Sequence, residues 1–251
     1  MTGALQSPVR RSQNLHTNRG EEAPVAPLSF FMPNRIEVNR NGPPELEKTM
    51  VAARTGTPSL PALEAQVGKA IVARNLVLRK PVLADAPALA ELANDRTVAE
   101  MTARIPHPYT VDDANDFLLD TLDAGPRGHL RFAITARLPD DTSGEFMGMV
   151  AVDRVDGNLV LGYWLGRPFR RRGYMSEAAE ALVNALFETG EVPEIISSAR
   201  MINDGSRAIL EGLGFQRTCV GLIRSTSLKG SVPVTHYQLT PEDFARRPRK
   251  R

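Results

Sequence analysis

The chain contains little of what several protein classes require. Cys219 is its only cysteine, so an internal disulfide and a cysteine-ligated zinc site are both excluded. No apolar run approaches the about 18 residues that a membrane-spanning helix needs. The 31 basic and 29 acidic side chains nearly cancel, so the net charge favours neither nucleic acid nor a membrane as a partner. We therefore expect a soluble, cytoplasmic protein.

The first 70 residues differ in composition from the remainder. They hold eight of the nineteen prolines and no Tyr, Trp or Cys. Such a segment buries too little apolar surface to offset the entropy that it loses on ordering. We therefore predict a disordered or loosely docked extension over residues 1–70, with a short helix over Leu63–Val72 leading into a folded domain at residues 71–243. The end of the chain, residues 244–251, is predicted to be a solvated basic tail.

From about residue 75 onward, the pattern of apolar residues predicts a mixed α/β (α+β) domain. Apolar runs and alternation indicate strands at residues 75–79, 129–137, 146–155, 159–165, 194–201, 215–224 and 232–239. Helical spacing and capping residues indicate helices at residues 85–94, from Thr110 to a stop at Gly125-Pro126, at 175–187 and at 204–213.

The lengths of the connections predict how these strands pair. Short turns at residues 140–144 and 156–158 are typical of hairpins, so the three middle strands should pair antiparallel in sequence order. The strand at 159–165, the helix at 175–187 and the strand at 194–201 should form one right-handed parallel crossover. The predicted fold is a central, mostly antiparallel twisted sheet with one parallel βαβ crossover and flanking helices.

The connection inside that crossover is rich in arginine. Arg167, Arg170, Arg171 and Arg172 fall within six positions, and Gly173 follows them immediately before the helix. A glycine lets backbone N–H groups approach a ligand closely, and the first turn of a helix offers unpaired N–H groups to an anion. Arginine adds charge-assisted hydrogen bonds to phosphate oxygens. The segment predicts a polyanion site, with a solvated basic loop as the alternative.

Two other nucleotide-binding motifs do not occur. The chain has no Gly-x-x-x-x-Gly-Lys-Ser/Thr sequence, which excludes the phosphate loop of nucleoside triphosphatases. Gly212 and Gly214 lack the third glycine of a dinucleotide fingerprint and follow a helix instead of preceding one.

Residues 170–175, Arg-Arg-Arg-Gly-Tyr-Met, resemble the pyrophosphate signature Arg/Gln-x-x-Gly-x-Gly/Ala of the GNAT superfamily of acyl-CoA-dependent N-acetyltransferases. Residues 173–178 are similar to the Gly-Tyr-Ala-Thr-Glu-Ala sequence of its RimJ/RimL branch of ribosomal-protein N-terminal acetyltransferases, with Met175 in place of a small residue. Residues 203–215 resemble the family's Asn-x-x-Ser…Leu-Gly-Phe element. The resemblance covers about residues 75–240.

This resemblance implies the GNAT fold, acetyl-CoA as co-substrate and no metal. It further implies that a primary amine attacks the thioester directly, without an acyl-enzyme. The residues implied to bind the cofactor are Trp164, Leu165, Gly166, Arg170, Arg171, Arg172, Gly173, Tyr174, Met175, Ser176, Asn203 and Ser206. For Asn203, a simple helix-capping role is the alternative.

The sequence identifies the proton donor and the general base of the reaction less clearly than the residues that bind the cofactor. Many relatives have a tyrosine acid where this chain has Leu210, and the RimJ/RimL branch implies Ser206 as the proton donor to the leaving thiolate. The branch often has a glutamate where this chain has Val160. Asp153 or His107 acting through water, or water alone, are the remaining candidates for the base, because an N-terminal amine with a pKa near 8 is already partly neutral at pH 7.

The acceptor is left open between a protein N-terminus and a small amine such as an amino sugar or a polyamine. His107 and Tyr163 are predicted to contact it, although Tyr163 and Trp164 alternate on a strand, and only one of them should face the cleft. Cys219 is expected in the core. The other functions considered are a catalytically weak acyl-CoA-binding sensor and RNA or ribosome binding by the arginines and the basic tail. We expect no nucleic-acid or membrane partner, and the sequence does not fix the oligomeric state.

Overall fold

The computed structural model describes residues 59–123 and 129–248, in which one eight-stranded sheet is flanked by helices. The strands are β1 Ala70–Val72, β2 Leu76–Arg79, β3 Leu130–Arg137, β4 Ser143–Val155, β5 Asn158–Leu165, β6 Ile195–Arg200, β7 Gln216–Ser225 and β8 Gly230–Leu239. The helices are α1 Leu60–Val67, α2 Ala86–Ala93, α3 Arg96–Met101, α4 Val111–Leu122, α5 Tyr174–Glu188, α6 Asp204–Gly212 and α7 Pro241–Arg246. Two 3-10 turns lie at Leu83–Asp85 and Arg167–Phe169.

The sheet has the strand order β1-β2-β3-β4-β5-β6-β8-β7. All neighbouring strands are antiparallel except β5 and β6, which run parallel and are joined through α5. The prediction of a mostly antiparallel sheet with one parallel crossover is therefore confirmed. The last strand, β8, lies between β6 and β7, so it separates the crossover from the edge of the sheet.

Local sequence explains where several elements begin and turn. Asp156 and Gly157 join β4 to β5 with φ values of 49° and 83°, the left-handed conformation that a tight two-residue hairpin requires. Thr110 caps α4 by accepting from the Asp113 N–H, while the Asp113 carboxylate accepts from the Thr110 N–H. The predicted stop at Gly125-Pro126 lies outside the described residues.

The sheet has a hydrophobic layer on each face. On one face, α1, α5, α6 and α7 pack on the sheet around Phe132, Leu161 and Leu182. On the other face, α2, α3 and α4 pack around Met149, Val160 and Trp164. We call these the α5 face and the α4 face. None of the helices in the described ranges has the length and apolar character needed to cross a bilayer.

The folded region extends beyond the predicted domain at its N-terminal end. Helix α1 lies within the predicted extension and ends at Val67 instead of reaching Val72, and its Leu60 and Leu63 are 2% and 0% exposed. Ser59 caps this helix and Pro61 occupies its first turn, where a missing N–H costs nothing. That proline therefore starts a helix, whereas composition counted it as a sign of disorder. Residues 1–58 lie outside the described residues.

The predicted tail and the predicted core position of Cys219 also need correction. Phe244, the first residue of the predicted tail, is buried in the α5-face core as part of α7. The remaining arginines and lysine at 249–251 lie outside the described residues. Cys219 is half-buried on β7, because this strand is at the edge of the sheet. In addition, the pattern of apolar residues did not predict helix α3 or strand β1.

Candidate active site

The two parallel strands of the sheet part from each other. Val160 and Ile196 form the one registered pair between β5 and β6, and Ser197 Oγ donates to the Leu161 carbonyl oxygen over 2.9 Å. Beyond this point β5 remains paired with β4 as far as Leu165, and β6 remains paired with β8 as far as Arg200. A cavity of about 530 Å³ lies where the strands separate.

Most of the residues predicted to bind the cofactor or the acceptor meet at this cavity. Its lining includes Tyr163, Trp164, Leu165, Arg170, Arg171, Gly173, Tyr174, Met175, Ser176, Asn203 and Ser206. Three predicted residues, Gly166, Arg172 and His107, are not among those that line it. The Gly166 N–H donates to the Met147 carbonyl oxygen, and a Cβ on Gly166 would lie 2.8 Å from a methyl carbon of Leu92. Close packing therefore accounts for a glycine at position 166.

At one end of the cavity, α5 begins with an open N-terminus. No side chain caps the helix at Gly173, which has a φ of 82° and open space where a Cβ would be. Glu177, in the first turn, accepts instead from the backbone and side-chain N–H groups of Asn75 at 2.6 Å and 2.8 Å. The backbone N–H groups at the start of α5 are thus available to an anion, and the helix dipole favours one there.

Met175 fits this arrangement despite its size. It replaces the small residue of the family signature, yet its side chain is buried in the α5-face core and 7% exposed. Its bulk is therefore accommodated by packing among apolar residues.

The arginines before α5 have different positions. Arg170 is half-buried, and its guanidinium donates to the Leu165 carbonyl oxygen at 3.0 Å and to Thr97 Oγ1 at 2.9 Å. Burial lowers the pKa of Arg170, although nearby Asp95 acts in the opposite direction. Arg171 and Arg172 are exposed. Arg170 thus fastens the connection to α3, while the other two remain in solvent.

Between the diverging strands, three polar residues form a chain of hydrogen bonds. Asn203 Oδ1 accepts from the Ser206 N–H at 3.1 Å and so caps α6. The Tyr163 hydroxyl lies 3.1 Å from Ser206 Oγ and donates toward the Ser206 carbonyl oxygen at 3.2 Å. Burial raises the pKa of Tyr163, with the Ser206 hydrogen bond acting in the opposite direction. Tyr163 is therefore a neutral phenol at physiological pH.

The structure also decides the orientation of the two aromatic residues on β5. Tyr163 packs on the α5 face and reaches α6, whereas Trp164 packs on the α4 face against Phe146, with ring centroids 6.3 Å apart. Both line the cavity, because it passes between the strands. The prediction that only one of these two residues faces the cleft is therefore wrong.

The candidates for a general base lie away from the cavity. Asp153 is 1% exposed and forms an ion pair with Arg131 at 3.2 Å, and His129 Nδ1 lies 3.3 Å from the same carboxylate oxygen. Burial by itself raises the pKa of Asp153, but Arg131 and His129 together hold that pKa below its ordinary value. His107 is exposed. Within residues 59–123 and 129–248, no group of three or more His, Cys, Asp or Glu residues is placed to hold a metal ion.

Helix α3, which covers the cavity, was not predicted from the sequence. Thr97, Val98 and Met101 of α3 contribute to the lining. The Arg200 guanidinium donates to the Glu100 carbonyl oxygen at 2.7 Å, which ties α3 to the end of β6. Asp95, which caps α3 by accepting from the Thr97 N–H, was the available signal in the sequence.

Comparisons with known proteins agree with this geometry. A family profile described as an acetyltransferase (GNAT) domain matches residues 75–216. The uncharacterized N-acetyltransferase p20 of Bacillus licheniformis is 29% identical over 174 residues, which are 68% of this chain and 95% of that protein. The putative ribosomal N-acetyltransferase YdaF of Bacillus subtilis (strain 168) is 31% identical over 75 residues, 29% of this chain and 41% of that protein. Mycobacterium smegmatis RimJ in complex with CoA-disulfide has a similar fold, with a TM-score of 0.58 at 17% identity, covering 72% of this chain and 89% of that one.

The chain therefore belongs to the GNAT acetyltransferase family, as its arginine-rich connection and α6 element indicated. It is an acetyltransferase that uses acetyl-CoA. The splayed strands and the uncapped start of α5 fit such a cofactor, because they offer a channel for an extended arm and a cluster of N–H donors for a diphosphate.

Proposed function

We propose that this protein transfers an acetyl group from acetyl-CoA to a primary amine by direct attack on the thioester. The observation that carries the proposal is the placement of two features in one cavity. The open N-terminus of α5 lies at one end, and the hydroxyl pair of Tyr163 and Ser206 lies between the strands. The first is suited to a diphosphate and the second to a leaving thiolate.

The binding roles follow from the positions of these residues. The backbone N–H groups at the start of α5 hold the diphosphate, and exposed Arg171 adds positive charge beside it. The edges of β5 and β6 that face the gap hold the pantetheine arm. When bound, acetyl-CoA supplies a thioester, whose acyl carbon is reactive because a thiolate is a good leaving group. Leu165 and Trp164 close the sides of this channel to water.

The bond changes require one proton donor and one proton acceptor. The neutral amine nitrogen forms a bond to the acyl carbon, and the bond between that carbon and sulfur breaks. The Ser206 hydroxyl gives its proton to the sulfur and is reprotonated by the Tyr163 hydroxyl, which recovers a proton from solvent. The surplus proton on nitrogen leaves to water. Cys219 does not line the cavity, so no protein thiol is placed to carry the acetyl group.

The direct test measures cofactor binding and turnover separately. Calorimetry should show that acetyl-CoA binds at least 100-fold more tightly than acetyl-pantetheine, which lacks the diphosphate. Release of free thiol with amines present, and mass spectrometry showing one added acetyl group on the amine, would establish transfer. Equal binding of the two thioesters would overturn the assignment of α5 as the diphosphate site.

A binding module without turnover is the second candidate, since the chain has Leu210 and Val160 where relatives have an acid and a base. Both side chains are fully buried and neither can exchange a proton. Tight acetyl-CoA binding with no acetylated product from any amine would favour this sensor function. The name of the Bacillus subtilis relative, a putative ribosomal N-acetyltransferase, makes a protein N-terminus one of the acceptors to compare. Peptides should be tested beside small amines for this reason.

A further inference from the structure

Trp164 and Arg200 occupy matching positions on the two diverging strands. Each lies four residues beyond a member of the registered pair, Val160 on β5 and Ile196 on β6. Because side chains alternate along a strand, a spacing of four places both on the α4 face. Both residues line the cavity, and they do so from opposite sides of the gap. The uncapped start of α5 and Ser206 belong to the other face of the sheet.

Each of these two side chains has a buried donor without a partner. Trp164 Nε1 and Arg200 Nε are both excluded from solvent, and neither forms a hydrogen bond. A buried donor without a partner has lost its hydrogen bond to water and gained none in return, so such donors are rare in folded proteins. Arg200 is held in place through Nη1, which donates to the Glu100 carbonyl oxygen at 2.7 Å. Two residues that line one cavity therefore each have an N–H donor that lacks an acceptor atom.

The charge of the cavity points to the kind of ligand that supplies this acceptor. The described residues of the lining include no Asp or Glu. Arg200 is the arginine of this lining on the α4 face, whereas Arg170 and Arg171 precede α5 at the proposed diphosphate site. A polyamine or an amino sugar with several ammonium groups would meet positive charge there without a carboxylate to pair with it.

We propose that the acceptor is a primary amine that also carries an oxyanion, a carboxylate or a phosphate, held by Trp164 Nε1–H and Arg200 Nε–H on the α4 face. Arginine and indole N–H groups are suited to such oxygens. Val98, Met101 and Ile223 line the cavity with them and provide an apolar surface for the rest of the molecule. This inference rests on the proposed acetyl transfer and specifies its substrate class.

The first test needs only the unaltered protein. Initial rates of thiol release would be compared for leucine and leucinamide, for O-phosphoethanolamine and ethanolamine, for spermidine, and for a short peptide with an amidated C-terminus. We expect kcat/KM to be at least tenfold higher for an anionic amine than for its neutral counterpart, with spermidine and the peptide lowest. Preference for leucine indicates a carboxylate, and preference for O-phosphoethanolamine a phosphate.

The second test removes the donors. Arg200→Gln should raise the KM of the preferred anionic amine at least tenfold, with little change for its neutral counterpart and unchanged affinity for acetyl-CoA. Trp164→Phe keeps the ring and removes the N–H, and should raise the same KM about threefold. Arg224→Gln is the matched control, because Arg224 is exposed on β7 and is not part of the lining. Arg200→Lys, which keeps the charge, should lie between Arg200→Gln and the unaltered protein.

The outcomes separate this inference from the proposed function. Turnover of neutral amines or spermidine at least as fast as anionic ones overturns the substrate class and leaves acetyl transfer standing. An Arg200→Gln protein that keeps the anionic preference, or that loses acetyl-CoA affinity instead, overturns the role of Arg200. If no amine consumes acetyl-CoA, both the transfer reaction and its substrate class are overturned.

Discussion

Helices α5 and α6 both begin beside the cavity, at the carboxyl ends of the parallel strands β5 and β6, yet their N-termini differ. Asn203 caps α6, whereas no side chain caps α5 at Gly173. A cap satisfies an N–H group that would otherwise bind a ligand or water. The start of α5 is therefore open to the diphosphate that we propose for it, whereas the cap of α6 holds Ser206 near Tyr163.

Removing the hydroxyl held by the capped helix should have the largest effect. Ser206→Ala should lower kcat about 100-fold, because the leaving thiolate loses its proton donor, and it should leave acetyl-CoA affinity unchanged. Tyr163→Phe should lower kcat less, about tenfold, since Ser206 remains able to donate. Steady-state kinetics with calorimetry would measure both quantities.

The double variant tests whether the two hydroxyl groups form one path. Because we propose that Tyr163 acts through Ser206, the combined variant should be about as slow as Ser206→Ala alone. Independent, multiplying losses would contradict the shared path, and an unchanged kcat in Ser206→Ala would exclude Ser206 as the donor.

Capping the open helix should have the next largest effect. Gly173→Asp places a carboxylate at the start of α5, where it competes for the N–H groups and repels the diphosphate. We expect acetyl-CoA affinity to fall about 30-fold, or ~2 kcal/mol, in calorimetry.

The control for this change is Gly190→Asp. Gly190 lies just beyond the other end of α5, with a φ of 71° and open space where a Cβ would be, so the backbone strain is comparable. Similar losses of acetyl-CoA affinity in both variants would show that strain, not the blocked N–H groups, causes the effect.

Removing the cap of α6 should have a smaller effect, on stability first. Asn203→Ala should lower the free energy of unfolding by about 1 kcal/mol and kcat only a few-fold, because Ser206 is held less firmly. Thr110→Ala removes the cap of α4, far from the reaction, and should cost similar stability without any change in kcat. Denaturant unfolding and kinetics on both variants measure this, and Asn203→Asp should restore the cap. An equal fall of kcat in both variants would contradict a positioning role.

The smallest expected change concerns pH. Burial raises the pKa of Tyr163, so its hydroxyl stays protonated well above neutral pH. With saturating amine, kcat should therefore show no alkaline decline up to about pH 10, the ordinary pKa of tyrosine. A declining limb below that pH that disappears in Tyr163→Phe would contradict a buried, neutral phenol.

The parts of the site that lie close together in sequence could be predicted. Asn203 and Ser206 are three residues apart, which is the spacing of a helix cap, and Gly173 follows its arginines directly. The role of Arg170 could not be predicted in this way, since its partner Thr97 is 73 residues away. The contact with Thr97 fastens the connection to α3, and a role of Arg170 in binding the cofactor stays a prediction.

Periodicity and capping are properties of neighbouring residues, so the alternation of strands and helices, the parallel crossover and the arginine-glycine connection could be read from the sequence. Only the packed structure shows that Leu60 and Phe244 belong to the core, that Trp164 and Arg200 line the same cavity, and that Asp153 is buried in an ion pair. Burial and pairing depend on segments far apart in the chain, and only packing the sheet against its helices brings those segments together.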